Sequence, residues 1–342
     1  MENKSGRVCL LGLLPEELQK CLPDFKSFKV REVFKNISRS LFSFEDYTTL
    51  TYTERSFLTE NFFCTSATIL EHQKDADGTQ KISIQIDGGH IIEAVLLVDK
   101  DNRKTACISS QVGCPLACQF CKTGLLGFAR NLSTAEILEQ FFLLERIAGT
   151  IDNIVFMGMG EPLLNFDAVK KSILILSHPQ GRHFSKRRIT ISTSGIISGI
   201  VRLGTELPEI RLAVSLTTAN EKLRRMLMPV TLENPLHKLK EALFDFAKQG
   251  KRRITLEVAL MHGINTDKQA CAELIEFVQP LNAHVNLIAW NPIPELAFLP
   301  PTEKEVQFVY RELQTAHINV TKRKKHGGDI SGACGQLGKV HV

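Results

Sequence analysis

Cys114-Pro115-Leu116-Ala117-Cys118-Gln119-Phe120-Cys121 sets three thiols apart by three and then two residues, on a loop just after a predicted strand. Zinc sites generally take four ligands, as two Cys-x-x-Cys pairs or with histidines. No fourth cysteine or histidine lies near this segment. Three thiolates instead suit a cube of four irons that leaves one iron open to a further ligand. A zinc site or a purely structural role is the bland alternative.

From about residue 100 onward, short apolar runs alternate with amphipathic helical patterns. The predicted strands are 105–109, 153–157, 188–192, 210–215, 253–258, 284–289 and 318–322. A helix is predicted over 133–148, where Ser133 and Glu136 form a capping box ahead of an apolar run. Successive βα units imply a parallel sheet with covering helices. A closed or partial (β/α) barrel and an open doubly wound sheet both fit that pattern. Polar or glycine-rich segments follow nearly every strand, at 158–161, 192–195, 215–218 and 291–292. Barrels gather their active sites at this end, from several strands at once. The expected fold is therefore α/β, a partial (β/α) barrel.

Upstream, residues to about 65 read as helical, with Phe28, Val30, Val33, Phe34, Ile37, Leu41 and Phe42 at helical spacing. Alternating runs at 66–70, 81–86 and 91–98 follow, with Asp77-Gly78 and Gly88-Gly89 between them as hairpin turns. The expected division is a small helix-and-hairpin accessory domain over 1–98 and a core over 99–342.

The 342 residues, 43% hydrophobic and 23% charged, suffice for a large core. The first apolar run breaks at Pro15, so neither a signal peptide nor a membrane span is expected, and the location is read as cytoplasmic. Nine cysteines there do not suggest a disulfide framework. Net charge is only +5, but basic residues cluster at 186–188, 224–225, 251–253 and 322–325. Such clusters suit a phosphate-backbone partner, although solvated loop ends would read the same way.

The cysteine spacing resembles the signature of radical S-adenosylmethionine (SAM) enzymes, in which the amino and carboxylate groups of SAM fill the open iron. Gly158-Met159-Gly160-Glu161-Pro162, ending the second strand, resembles their segment whose backbone meets the SAM amino group. More specifically, residues 93–337 resemble the RlmN/Cfr family of radical SAM RNA methyltransferases, which methylate an adenine ring carbon. The likeness rests on CISSQVGC (107–114), MGMGEPLLN (157–165), ISTSG (191–195), VNLIAWNP (285–292) and GACGQL (332–337).

The resemblance implies a barrel of the radical SAM type and one 4Fe-4S cluster on Cys114, Cys118 and Cys121. It places SAM against Gly160, Glu161, Ser192, Ser215, Leu216, Thr217 and Asn291. Cys334 would carry the methyl group, Cys107 would resolve the adduct and Glu93 would be the general base. Thr217 departs from the family, which usually has histidine there. The implied substrate is RNA: 23S rRNA, with tRNA as a second, at adenine C2. The C8 branch shares every motif. An electron donor such as flavodoxin or ferredoxin, and a monomeric state, complete the expectation.

This chemistry needs cysteines beyond the cluster. An adenine C2 or C8 carbon has no nucleophilic lone pair, so direct displacement on the SAM methyl group fails. A methylene radical carried on a cysteine can add to it. A base must then take the ring proton, and a thiol must release the product through a disulfide. Cys9, Cys21, Cys64 and Cys271 fit no motif and are read as structural. Phe120 is read as packing against the SAM adenine or into the core.

Overall fold

Apolar runs such as Leu212-Ala213-Val214 form strands buried on both faces, one beneath the helices of the crossovers between parallel neighbours and the other turned to the inside of the curved sheet. They form the core of a computed structural model that describes residues 6–250 and 253–338. The main sheet has ten strands: β1 (Thr68–Lys74), β2 (Gln80–Gln85), β3 (Ile91–Val98), β4 (Lys104–Cys107), β5 (Asn153–Phe156), β6 (Ile189–Thr193), β7 (Arg211–Ser215), β8 (Ile254–Leu260), β9 (Ala283–Ala289) and β10 (Val320–Lys322).

Strands β1 to β10 lie side by side in chain order. From β4 to β10 all neighbours are parallel, and from β1 to β4 they are antiparallel. A doubly wound sheet reverses its strand order at a switch point. This sheet has no reversal, and β1 does not pair with β10. It is an open arc, the partial barrel expected.

The helix Thr134–Ala148 joins β4 to β5 and is buried around almost its whole girth over residues 135–144. The sheet packs on one side. On the other, Phe142 meets Phe42 edge-on at 5.4 Å, and Glu139 accepts the N–H groups of Ser66 and Ala67. Its start is fixed as the sequence predicted: Ser133 Oγ accepts from Glu136 N at 3.2 Å, and Glu136 Oε2 accepts from Ser133 N at 2.8 Å.

The N-terminal segment holds helices Pro15–Cys21, Ser27–Ile37 and Tyr52–Asn61, clasped by a parallel pair of Val8–Cys9 with Phe62–Phe63. The second helix ends at Ile37, short of Leu41 and Phe42, and Ser40 turns left-handed at φ 64°. The first hairpin strand runs over Thr68–Lys74, longer than expected, because its turn closes only where Asp75 N donates to Thr79 O. Both predicted turns are present, with φ of 87°, 75° and 76° at Gly78, Gly88 and Gly89. The sheet continues across residue 98, with Leu96 paired to Ala106, so the hairpins extend the barrel wall. Lys251 and Arg252 of the third basic cluster lie outside the described residues.

Ser133→Ala should remove the N-terminal cap of the central helix and cost about 1 kcal/mol, read as a lower urea midpoint with unchanged slope.

Candidate active site

The cysteine loop hangs from a small hairpin that pairs Gln111–Gly113 with Phe128–Asn131. Gly113, at φ 74°, permits this: a Cβ there would lie 1.9 Å from the Gly127 carbonyl. Within the loop, Cys121 N donates to Cys118 O at 3.2 Å. Asn165 Nδ2 donates to the carbonyls of Ser110 and Leu132, both at 2.8 Å, and so fixes the two ends of the hairpin. The three thiols are free, and burial pushes all of them up, Cys114 to about 12. They stay protonated until a metal displaces the protons.

Among the described residues, no three Cys, His, Asp or Glu side chains converge tightly enough to enclose a single metal ion. A zinc site requires that convergence. A cube places each thiolate on a separate iron and does not. The donor set fits a 4Fe-4S cluster held by Cys114, Cys118 and Cys121.

Cys118 and Cys121 face a cleft lined by Gly158, Gly160 and Glu161 after β5, Ser192 on β6, Ser215 and Thr217 at β7, Glu257 on β8 and Asn291 after β9. The glycines let the end of β5 pass close beneath the hairpin. A Cβ on Gly158 would lie 2.6 Å from Ser109 Oγ, and one on Gly160 2.5 Å from Gln111 Cβ. Between them Met159 is buried, its N–H given to Ser109 Oγ and its carbonyl taken by Ser110 N. Glu161 Oε2 accepts from Ser194 N at 2.7 Å and Oε1 from Leu163 N at 3.1 Å. Burial lifts its carboxyl to about 7 despite these bonds.

Thr217 sits at φ 61°, a region β-branched residues seldom enter, held by Thr217 N to Glu257 O and by Asn265 Nδ2 to Thr217 O. Thr217 lines the cleft, at the position where the resemblance usually implies histidine. Leu216 does not reach the cleft. It is wholly buried, its N–H given to Glu257 O and its carbonyl taken by Arg224 Nε and Thr218 N. Phe120 lines the cleft, its carbonyl held by Trp290 Nε1 at 2.9 Å.

A second cavity adjoins the first, lined by Val95, Leu97, Cys107, Arg323, Lys324 and Lys325 among others. Met157, Ile288, Asn291 and Cys334 line both. Cys334 is exposed, and its carbonyl accepts from Asn291 Nδ2 at 3.1 Å. Cys107 is buried at the end of β4, and its thiol is pushed up to about 12 by burial and then by Cys334. Arg323, just past β10, forms an ion pair with Glu257 at 3.2 Å, while Glu257 accepts from Ser192 Oγ. The Arg323 guanidinium is held more firmly charged, above all by Cys334.

Glu93 lies on β3, on the same face as Val95 and Leu97, and is 1% exposed. Its Oε2 accepts from Gly338 N at 2.6 Å, and Lys81 Nζ lies 3.1 Å from Oε1. The loop carrying Cys334 thus closes over the carboxylate.

Residues 108–275 match the Radical SAM superfamily. A probable dual-specificity RNA methyltransferase RlmN of Treponema pallidum is 50% identical over 331 residues, covering 97% of each chain. The dual-specificity RNA methyltransferase RlmN of Syntrophobacter fumaroxidans is 40% identical, over 96% of this chain and 98% of that one. The chain belongs to the RlmN family of radical SAM RNA methyltransferases. The crystal structure of a radical SAM methyltransferase from Sphaerobacter thermophilus, 36% identical, superposes with a TM-score of 0.93 over 96% of this chain and 99% of that chain. The RlmN family carries a 4Fe-4S cluster and SAM as cofactors, consistent with the thiol loop and cleft.

Sequence reading placed Arg224 in a surface basic cluster. It is instead 0% exposed and binds the carbonyls of Ser194, Ser215 and Leu216 and the hydroxyl of Thr231. It ties the ends of β6 and β7 beneath the cleft, and burial lowers it to about 10. Arg323 likewise turns inward from the 322–325 cluster. Glu257 was overlooked; its signal was a lone charge within the apolar run of β8.

Anaerobically purified RlmN-family protein should be brown with broad visible absorption. Alanine at Cys114, Cys118 or Cys121 should abolish both the colour and SAM cleavage. Colourless native protein holding zinc alone would contradict the assignment.

Proposed function

We propose that the protein methylates adenine C2 in 23S rRNA and in tRNA, with Cys334 as methyl carrier, Cys107 as resolving thiol and Glu93 as general base. The observation that carries this reading is the position of Cys334 at the junction of the two cavities. From there it can meet SAM on one side and a substrate base beside Cys107 on the other. The dual specificity in the relatives' names supports two RNA substrates.

When bound, the cluster and SAM supply a radical able to take hydrogen from a methyl group on Cys334. The chain's own residues do the rest. Glycines flank Cys334 nearby at 332 and 335, which suits a sulfur that must serve two partners. Cys107, buried and protonated, is kept from premature disulfide formation until the RNA is attached. Arg323 presents a fixed cation to both sulfurs, while Lys324 and Lys325 line the rim for phosphates.

The helix-and-hairpin segment over 1–98 serves as an accessory RNA surface in this reading. A flavodoxin or ferredoxin supplies the electron, and the protein works as a cytoplasmic monomer. No described helix is long and apolar enough to cross a membrane.

Two outcomes are expected. Cys334→Ala should yield neither methylated RNA nor crosslink. Cys107→Ala should complete radical addition and stall, leaving RNA covalently bound and visible as a nuclease-sensitive band shift. Normal turnover by Cys107→Ala would remove the cysteine assignment. Separately, RNA affinity should fall steeply with salt, and Lys324→Glu with Lys325→Glu should weaken binding while SAM cleavage persists. Affinity independent of salt would contradict backbone-led binding.

A further inference from the structure

Lysine is among the residues least often fully buried, yet Lys81 on β2 is 3% exposed. Its Nζ lies 3.1 Å from Glu93 Oε1 and donates to Ser331 O at 3.3 Å. The two side chains meet diagonally across the β2–β3 ladder, where Lys81 opposes Val95 and Ser83 opposes Glu93. A buried ion pair is a poor source of stability, because desolvation offsets the attraction. Apolar residues would fill this part of the wall at least as well.

The two carboxylate oxygens of Glu93 are treated differently. Oε2 is tied by the Gly338 N–H at 2.6 Å. Oε1 is buried and pairs with the Lys81 ammonium at 3.1 Å. One oxygen is therefore anchored by a backbone N–H and the other by the ammonium. A carboxylate held at both oxygens keeps one orientation, which a positioned base needs. The ammonium also reaches the carbonyl of Ser331, in the loop that carries Cys334.

We propose that Lys81 is the positioning residue of the general base: it holds the buried Glu93 carboxylate in place and links it to the Cys334 loop. The inference rests on the reading of Glu93 as the base. In that step the ring proton passes to a Glu93 oxygen, and the C–H electron pair stays with the ring. Without the cation, Oε1 loses its partner and the carboxylate its fixed orientation.

The test uses the full-length, cluster-loaded enzyme with an unmodified 23S rRNA fragment, comparing Lys81→Met, Lys81→Arg and Glu93→Gln. Methylation of Cys334, read by intact-protein mass spectrometry, precedes any need for the base and reports an intact fold and SAM site. Lys81→Met should keep that methylation, accumulate the covalent RNA adduct, and lose roughly 10- to 100-fold in RNA methylation, less than the roughly 100- to 10,000-fold of a lost general base because Glu93 itself remains. Lys81→Arg should recover much of the loss. Normal turnover by Lys81→Met alongside a stalled Glu93→Gln would overturn the role of Lys81 alone. Loss of Cys334 methylation without adduct in both Lys81 variants would also overturn it, leaving a structural part only. Normal turnover by Glu93→Gln would remove the base reading itself.

Discussion

The Arg323–Glu257 ion pair stands inside an arc whose edge strands never meet, and much of the site is arranged around it. A closed barrel would fix its mouth by strand pairing. Here β1 and β10 are both edges, so side chains must do that work. Arg323 leaves β10, reaches Glu257 on β8, and lies within 3.9 Å of Met157 Sδ beyond β5. Glu257 in turn holds Ser192 on β6 through its side chain and Leu216 and Thr217 through its carbonyl. A partly buried pair so placed contributes geometry more than stability.

The C-terminal loop completes the enclosure from the other side. Asp77 on the first hairpin turn accepts from Gly327 N and meets His326, and Asp75 accepts from Asp329 N. Further along, Thr123 Oγ donates to Leu337 O, and Lys122 N to Gly335 O, so the loop is pinned to the cysteine segment as well. Cys334 sits between these two sets of ties. Each is a contact of modest net strength, so the loop is held at several points and by none of them firmly.

Expectation and structure agree most closely where local chemistry suffices. The thiol spacing, the capping box at Ser133 and the turn glycines are short-range patterns, and each appears where predicted. The parallel strands were legible as short runs in which apolar residues recur at every second position or more often, as in Ile189–Thr193 and Ala283–Ala289. The arc also follows from sequence in one respect, since polar segments after successive strands imply a shared mouth. Errors arose where charge was read without its surroundings. Arg224 and Arg323 looked like surface cations because sequence shows neighbours along the chain but not the carbonyls and carboxylates that fold around them.

The sequence by itself determined the family, the spacing of the three thiols and most of the strands that wall the cleft, because those features depend on residue type and spacing. Tertiary structure alone decided that Leu216 is core, that Glu93 shares its burial with Lys81, and that Cys334 joins two cavities. Those outcomes depend on contacts between segments as far apart as residues 81 and 331, or 93 and 338. Which of many charges end up paired inside is set by how the arc and its closing loop pack, and no local pattern encodes that.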